Sequence, residues 1–289
     1  MLTDEKKKFL ELKANEIRRT VIETLVNAGS GHTAGPLSSA DILTYLFFQA
    51  LSHEPKKPDW PERDRLIVSN GHICPVLYSV MAHAGYFPVR DLINSLRKFG
   101  SSFQGHPHRE FLAGLETSSG PLGEGLSQAV GMALAERIDS GGQTLNPEKG
   151  LTSTASKHFF CILSDAELQE GNIWEAAMLA GKERLGNLIA IIDRNKIQIG
   201  GFTEKIMPLE PLREKLEAFG WQTTEINGHD FFEIDQAVSA TKRHLTKPSV
   251  IIAHTIAGKG VKEFENKPEW HGKAPNKEEG VIALKELKK

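Results

Sequence analysis

The segment Leu163-Ser164-Asp165-Ala166-Glu167-Leu168-Gln169-Glu170-Gly171 follows an apolar run that begins at His158. A second apolar run, Leu188-Ile189-Ala190-Ile191-Ile192, leads directly into Asp193-Arg194-Asn195. Each run has the length and composition of a buried strand, and a helical pattern begins at Asn172. The sequence therefore predicts that Asp165 and Asn195 lie at the carboxyl ends of two neighbouring strands, where open α/β sheets bind their ligands.

Asp165 and Asn195 carry the oxygen atoms that hard divalent cations prefer as ligands. One carboxylate, one carboxamide and nearby backbone carbonyls would form part of an all-oxygen cage for Mg²⁺ or Ca²⁺, with a phosphate group in the remaining positions. The free N–H groups and the positive dipole end of the following helix can hold that phosphate. The pair alone is weak evidence, because an Asp and an Asn in two loops commonly cap local structure.

Strand-like runs alternate with helical patterns along the chain. The predicted strands are residues 65–69, 158–163, 188–192, 222–226 and 249–254. The predicted helices are residues 10–28, a helix capped by Ser38 or Ser39, a helix after 72, and residues 126–138, 172 onward, 209–219 and 231–244. This alternation predicts an α/β fold, a doubly wound parallel sheet with helices on both faces. We expect residues 1–289 to form a single domain with a charged tail at 273–289, whose part from 277 onward is a solvated helix.

Composition excludes several classes of function. With 289 residues, 39% of them hydrophobic, the chain can bury a full core, and its net charge of −2 gives no electrostatic case for nucleic acid or an acidic membrane. No apolar signal region follows Met1, and no run approaches the length of a membrane span. Cys74 and Cys161 lie far apart in the sequence, and Cys161, inside an apolar strand, is most simply a buried thiol. We expect a reduced cytoplasmic enzyme.

Histidines recur in loops that precede helices or follow strands. His32 lies in the small-residue loop 31–38, His72 follows the predicted strand 65–69, and His106 lies in the long loop 100–119. Loops of that length are usually functional. From spacing alone, His32 is equally a solvated loop residue, and His72 could serve only as a helix cap. We expect His108 to be solvated.

These segments together resemble the transketolase family. The spacing of thirty residues from Asp165 to Asn195 is similar to that of the thiamine diphosphate signature. The motifs "D-x-x-L-Q-E-G-x-x-W-E-A-A" and "N-L-I-A-I-x-D-R-N" narrow the resemblance to transketolases. Further resemblances are "S-G-H-x-x-x-P-L" at 30–37, "R-D-R-x-x-x-S-N-G-H" at 63–72, "G-H-P" at 105–107, "G-x-L-G-x-G" at 120–125 and "G-K-G … W-H-G-K" at 258–273. They extend over almost the whole chain.

The resemblance implies a cofactor, thiamine diphosphate, and a metal ion, Mg²⁺ or Ca²⁺. The implied metal ligands are Asp165, Asn195 and the main-chain carbonyl of Ile197. The implied cofactor-binding residues are Gly120, Pro121, Leu122, Ser164, Asp165, Ala166, Asn195 and His271. The implied catalytic residues are His32, His72, His106, Glu170 and His271. Without the resemblance, Glu170 would equally be a residue that favours a helix dipole.

The resemblance also implies a reaction and a partner. Transketolases transfer a two-carbon ketol unit from a ketose phosphate to an aldose phosphate, for example in the pentose phosphate pathway. This chain resembles only their amino-terminal half. We therefore expect a separate partner subunit with the pyrimidine-binding and carboxy-terminal domains, an α2β2 assembly, and Glu170 at the contact between chains.

Three positions depart from the family pattern, and two alternatives follow. Ser164 and Ala166 replace the glycines that flank the aspartate, and a positive φ at Ala166 would cost about 1 kcal/mol or more. Ala257 replaces a lysine of many relatives. The alternatives are another thiamine diphosphate enzyme, such as a deoxyxylulose-phosphate synthase-like half or a 2-oxo acid dehydrogenase α chain, and a non-catalytic scaffold subunit.

Overall fold

A computed structural model describes residues 2–139 and 157–287. The sequence of segment 140–156 is polar and contains glycines, which predicts a surface excursion; this segment lies outside the described residues. Among the described residues, no helix is both long and apolar enough to cross a membrane.

A five-stranded parallel sheet forms the centre of the fold, with strand order β1-β2-β3-β7-β6. The strands are β1 (Arg65–Val68), β2 (Phe159–Ser164), β3 (Leu188–Arg194), β6 (Gln222–Asn227) and β7 (Ser249–His254). A short antiparallel hairpin, β4 (Ile197–Gln198) and β5 (Gly201–Phe202), follows β3. All five predicted strands are confirmed, each to within two residues of its predicted bounds.

Helices connect the strands. They are α1 (Asp4–Ala28), α2 (Ala34–Ser38), α3 (Ala40–Tyr45), α4 (Cys74–Ala84), α5 (Val89–Ser95), α6 (Glu124–Asp139), α7 (Gly171–Lys182), α8 (Thr203–Ile206), α9 (Leu212–Ala218), α10 (Phe231–Arg243) and α11 (Lys277–Glu286). Loop 100–119 contains no regular helix or strand, as predicted.

Side chains of β2 alternate between two hydrophobic cores. Phe160 and Ile162 belong to the core under α1, α3, α4 and α10, whereas Phe159, Cys161 and Leu163 belong to the core under α6, α7 and α9. A strand that is apolar on both faces must be covered on both faces. The doubly wound α/β fold is therefore confirmed, and the carboxyl ends of the strands share one edge.

The structure corrects two details of the predicted helix starts. Ser39 is at the N-cap position of α3, as predicted, but neither its hydroxyl nor that of Ser38 makes a capping bond; both donate instead to the buried Asp193 carboxylate, at 2.9 and 2.6 Å. The helix predicted at 209–219 begins only at Leu212. Pro211 disfavours helical geometry in the residue before it, so the helix cannot extend back to Leu209.

The charged tail is packed on one side, contrary to the prediction of a solvated helix. A capping box between Asn276 and Glu279 starts α11, and Ala283 and Leu287 are buried. Arg19 of α1 donates to the Leu284 carbonyl at 2.8 Å. Lysines and glutamates mark only the outer face of this helix, and the short apolar spacing at 283–287 marks the inner one.

Candidate active site

The ends of β2 and β3 bring the predicted pair of residues together. Ser164 lies opposite Asp193 in the sheet, and the Asp165 N–H donates to the Asp193 carbonyl at 3.2 Å. Asp165 is fully buried. One oxygen of its carboxylate, Oδ2, accepts from Arg194 Nη1 at 2.8 Å and from the Lys196 N–H at 2.7 Å. The site is thus assembled from the two strand ends, as their spacing predicted.

The ionisation of Asp165 reflects opposing influences. Burial raises its pKa to about 6, and the neighbouring charge of Asp193 acts in the same direction. The hydrogen bond and charge of Arg194 oppose this rise. Asp165 and Asp193 together carry one more negative charge than Arg194 offsets, and this excess would stabilise a bound cation.

Asn195 and Ile197 lie immediately beyond β3. The Asn195 Oδ1 atom accepts from the Ile197 N–H at 3.0 Å, and its Nδ2 donates to Asp193 Oδ2, also at 3.0 Å. Asp193 additionally accepts from Ser38, Ser39 and Thr255. These bonds fix the amide so that its oxygen is on the side of the turn that leads into the β4–β5 hairpin.

The turn after Asp165 is not strained by the replacement of glycine. Asp165 has a φ of −66° and leads into a short 3₁₀ turn, Ala166–Gln169. The described non-glycine residues with a positive φ are Arg97, Arg184, Lys196 and Asn266, so Ala166 is not among them. The predicted backbone penalty at Ala166 is therefore wrong, because this turn needs no left-handed residue there.

Three of the four predicted histidines form one cluster. The ring centroids are 4.9 Å apart for His32 and His72, 5.5 Å for His32 and His271, and 5.3 Å for His72 and His271. They come from three separate loops: before α2, after β1 and after β7. Their convergence was implied by the family resemblance, and spacing along the chain could not show it.

The cluster is held in the neutral state. Burial lowers the pKa of His32 to about 4, and burial also lowers the pKa values of His72 and His271. The neighbouring rings add to the effect at His32 and His72, since each charged ring would repel the next. Neutral imidazoles can both donate and accept hydrogen bonds, which suits sugar hydroxyls.

His106 lies at the rim and is exposed. Gly120 is next to it: a Cβ atom on this glycine would be 3.8 Å from His106 Cγ. Arg97 donates to Ser30 Oγ at 3.1 Å and to the Gly105 carbonyl at 3.2 Å, and so links the loops that carry His32 and His106. His108 is half-buried against Phe111, with ring centroids 4.4 Å apart, so the prediction that it is solvated was wrong.

Several buried polar atoms around the cluster have no hydrogen-bond partner among the described residues. They are His32 Nδ1, both side-chain polar atoms of Asn70, Ser119 Oγ and Gln198 Oε1. Asn70 precedes the turn to His72, and a Cβ on Gly71 would be 2.6 Å from Ser119 Oγ. Buried polar groups are normally paired. This set therefore fits a polar ligand that spans the histidine cluster and the Gly120 loop.

The metal ligands that the resemblance implies are of mixed type. Among the described residues, no three His, Cys, Asp or Glu side chains converge as a metal site. A set of one carboxylate, one amide oxygen and one main-chain carbonyl does not need such a convergence, and its oxygen chemistry fits Mg²⁺ or Ca²⁺.

A family model described as "Transketolase, thiamine diphosphate binding domain" matches residues 10–288. The chain belongs to the transketolase family. This match confirms the transketolase interpretation over the other thiamine diphosphate enzymes that the sequence left open.

The family includes relatives of about this chain's length and relatives more than twice as long. The chain is 41% identical over 280 residues to the 6-deoxy-6-sulfo-D-fructose transketolase subunit SqwG of Clostridium sp. (strain MSTE9), covering 97% of this chain and 96% of that one. It is 37% identical to an apulose-4-phosphate transketolase subunit of Phocaeicola vulgatus, covering 96% and 93%. The transketolase of Mus musculus is 35% identical, and the match covers 93% of this chain but 40% of the mouse protein.

Solved transketolase structures share the fold. The Campylobacter jejuni transketolase superposes with a TM-score of 0.86 at 37% identity, and the Leishmania mexicana transketolase with a TM-score of 0.88 at 30% identity. The matches cover 97% and 96% of this chain but 43% and 41% of those chains. This transketolase chain thus spans less than half the length of the solved relatives.

Sequence reasoning missed Glu167, a buried residue of this transketolase turn. Its carboxylate accepts from Ser69 Oγ at 2.5 Å, from the Gly123 N–H at 3.1 Å and from the Ser164 N–H at 2.9 Å. It therefore joins the end of β1, the Gly120 loop and the turn before Asp165. Burial raises its pKa to about 7, although these hydrogen bonds favour the ionised form.

A second missed residue, Arg194, is also buried and contacts Asp165. The available signal for both residues was a charged side chain within a few residues of the end of an apolar run: Arg194 follows Asp193 at the end of β3, and Glu167 is three residues after β2. By contrast, the predicted Glu170 is exposed at the start of α7 and makes no capping bond. The exposed Pro121 and Leu122 lie in the loop whose Gly123 packs on Glu170.

Proposed function

We propose that this chain is the cofactor-binding subunit of a two-chain transketolase that transfers a two-carbon ketol unit between sugar phosphates. The observation that carries the proposal is the placement of Asp165 and Asn195 at adjacent strand ends, next to a cluster of neutral histidines and unpaired buried polar atoms. The relatives of similar length, each named as a transketolase subunit, support it.

In this proposal, the diphosphate and its divalent cation occupy the edge of the sheet. Asp165, Asn195 and the Ile197 carbonyl hold Mg²⁺ or Ca²⁺. Ser164, Ala166 and the Gly120-Pro121-Leu122 loop contact the cofactor, and the free N–H groups at the start of the 3₁₀ turn and α7 favour its negative charge. His271 completes the set from the loop after β7.

When bound, thiamine diphosphate supplies the nucleophilic carbon that cleaves the ketose. The protein's residues orient the substrate and handle protons. His32, His72 and His271, all neutral, hydrogen-bond the substrate hydroxyls or the oxygen that gains charge during cleavage. His106 at the exposed rim, adjacent to Gly120, is positioned to contact substrate as it enters.

A partner subunit completes the site in this proposal. Large apolar side chains are exposed near its rim: Leu122, Ile199, Phe202, Ile206 and Met207. Ile199 lies near Gly272, the residue after His271 of the cluster. Glu170 lies against Gly123, the residue after Leu122, so Glu170 and Leu122 are neighbours on the surface. Apolar groups grouped in this way are typical of an interface. We propose an α2β2 assembly in which Glu170 contacts the partner and joins a proton network.

The cell compartment and pathway are also proposals. Cys74 and Cys161 are both free and buried, which suits a reducing cytoplasm. A role in pentose phosphate metabolism is the general expectation for the family. The names of two relatives suggest two further candidate donors, 6-deoxy-6-sulfo-D-fructose and apulose 4-phosphate.

Activity of the assembled protein tests the proposal. The chain and its carboxy-terminal partner subunit would be mixed with thiamine diphosphate, Mg²⁺ and an aldose phosphate acceptor. The donor panel would be xylulose 5-phosphate, apulose 4-phosphate and 6-deoxy-6-sulfofructose. We expect transfer from at least one donor by the mixture, and its loss in Asp165→Ala. Tight association of the two chains without transfer or cofactor uptake would instead support the scaffold alternative.

A further inference from the structure

Arg194, the last residue of β3, binds three carboxylates at once. Its Nη1 donates to Asp165 Oδ2 at 2.8 Å, and its Nη2 donates to Glu204 at 2.5 Å and to Glu210 at 2.9 Å. The arginine side chain is 1% exposed. The two glutamates lie outward of it, with side chains 34% and 58% exposed. Arg194 therefore connects the expected metal ligand with the surface segment 204–210.

The two oxygens of Asp165 are used unequally. Oδ2 is occupied by Arg194 and by the Lys196 N–H, whereas Oδ1 has one long contact, 3.5 Å from Thr203 Oγ1. Arg194 Nη1 and the Lys196 N–H both donate to the same oxygen, and two donors on Oδ2 restrict how the carboxylate can turn. The oxygen that remains free is therefore held in a defined direction.

The outer glutamates offset the charge of the arginine. A lone guanidinium beside Asp165 would repel a divalent cation. Glu204 and Glu210 prevent this if they are ionised. Burial disfavours the ionised form of Glu204, but the Leu209 N–H and Arg194 lower its pKa. The Leu212 N–H, together with Arg194, lowers the pKa of Glu210. The whole cluster keeps an excess of negative charge, as a cation site requires.

We propose that Arg194 is a positioning residue that orients Asp165, so that one carboxylate oxygen is presented to the divalent cation bound with the diphosphate. This inference rests on the proposed function, because it presumes that the cation binds at Asp165. Removal of a residue that hydrogen-bonds to a metal ligand commonly weakens metal binding about 10- to 100-fold. Removal of an arginine that only stabilised the fold would lower the free energy of unfolding but leave the metal affinity of the folded protein unchanged.

Metal affinity in the assembled protein tests the proposal. Mn²⁺ would replace Mg²⁺, and electron paramagnetic resonance of free Mn²⁺ would report its binding in the presence of thiamine diphosphate. Loss of the positive charge alone would strengthen Mn²⁺ binding, so a weakening of about 10-fold or more in Arg194→Met is the result that we expect from lost orientation of Asp165. Arg194→Lys, which keeps the charge but loses the planar fork, should restore part of the affinity.

Arg137→Met is the matched control. Arg137 also binds a carboxylate, that of Glu183 at 2.6 Å, but at the far end of α6 from the site. The Arg137→Met variant should lose packing contacts and an ion pair, but its Mn²⁺ affinity should not change. Glu204→Gln is a second probe for the case in which Arg194→Met does not fold, and it should weaken Mn²⁺ binding a few-fold because the arginine charge is less offset.

Unchanged Mn²⁺ affinity in the folded Arg194 variants, or in Glu204→Gln if neither of them folds, would overturn the proposal. An equal loss in Arg137→Met would also overturn it, because the effect would then reflect general destabilisation. Failure of the wild-type assembly to bind Mn²⁺ with the cofactor would instead contradict the proposed function. The wild-type and variant measurements thus separate the two claims.

Discussion

Among the single residues, three histidines determine the charge of the candidate site, because all three are neutral. His32, His72 and His271 contact one another through their rings, and each has a pKa lowered by burial. Because charged rings at these distances would repel, the cluster carries no positive charge at neutral pH. A sugar bound there meets hydrogen-bonding groups and not a cationic surface.

The cluster should make stability depend on pH. The folded-state pKa of His32 is about 4, below the unfolded value of 6.5, so the unfolded chain binds the proton first as pH falls. Its contribution is fully present above pH 6.5 and is lost as the pH falls towards 4. We expect His32→Gln to reduce the loss of unfolding free energy between pH 7.5 and 5, measured by urea denaturation. An equally steep loss in the variant would contradict the lowered pKa.

Glu167 should be more important for stability than its absence from the predicted site suggests. Glu167→Ala would leave the Ser69 hydroxyl and the Gly123 and Ser164 N–H groups unpaired in the interior. Each such group costs about 1–3 kcal/mol, so we expect the variant to lose about 3 kcal/mol or more of unfolding free energy. Glu167→Gln, which keeps one acceptor oxygen, should lose less.

Urea denaturation would measure both variants of Glu167. Glu175→Ala is the control, because Glu175 is an exposed glutamate of the adjacent helix α7 and its removal should change stability little. A Glu167→Ala variant as stable as the control would show that the three donors find other partners.

At the scale of elements, α6 is seated directly on the end of β1. A Cβ atom on Gly125 would clash with Ser69 Cβ and would be 2.6 Å from Ser69 Cα. Ser69 is also the donor to Glu167, and its Oγ accepts from the Gly125 N–H at 3.0 Å. The close approach of this helix therefore sets the position of the loop that carries Gly120 to Gly123.

Gly125→Ala should push α6 away from β1. Because the clash involves backbone, we expect a clear loss of thermal stability and weaker binding of thiamine diphosphate by the assembled protein. Gly131→Ala is the matched control in the same helix, since nothing lies within 4 Å of its added Cβ. That change should be neutral or should stabilise by up to about 1 kcal/mol, because alanine favours helix.

Melting temperatures of the two glycine variants, measured side by side, check this prediction. If Gly125→Ala had the same melting temperature as Gly131→Ala, the helix would be able to shift without a loss of stability.

The elements themselves were largely predictable: the central strands β2, β3 and β7 are short runs buried on both faces, and the edge strand β6 alternates buried and exposed residues. Periodicity along the chain located β2 and β3, and hence Asp165 and Asn195. It could not show that Ser38 and Ser39 bind Asp193, since that contact joins residues more than 150 positions apart. The start of α9 and the packed face of α11 were missed because Pro211 and a neighbouring helix decide them.

In the part of the chain that the structure describes, the five-stranded sheet lies between two hydrophobic cores, and buried polar groups collect at the carboxyl ends of its strands. The family resemblance supplied the roles of the four histidines and of Glu170. The structure added Arg194 and Glu167, whose partners come from segments distant in sequence, which no local pattern reveals. At that edge the described residues present buried acceptors and unpaired polar atoms, with exposed apolar side chains nearby.

In the proposed function, this chain binds the diphosphate end of thiamine diphosphate, and a partner chain completes the site. Calorimetric titration of thiamine diphosphate in the presence of Mg²⁺, on this chain alone, on the partner alone and on the mixture, tests this claim. We expect weak or undetectable binding by each chain, and tight binding by the mixture with one cofactor per pair, lost in Asp165→Asn. Tight binding by the partner alone, or unchanged binding by the Asp165→Asn mixture, would contradict the claim.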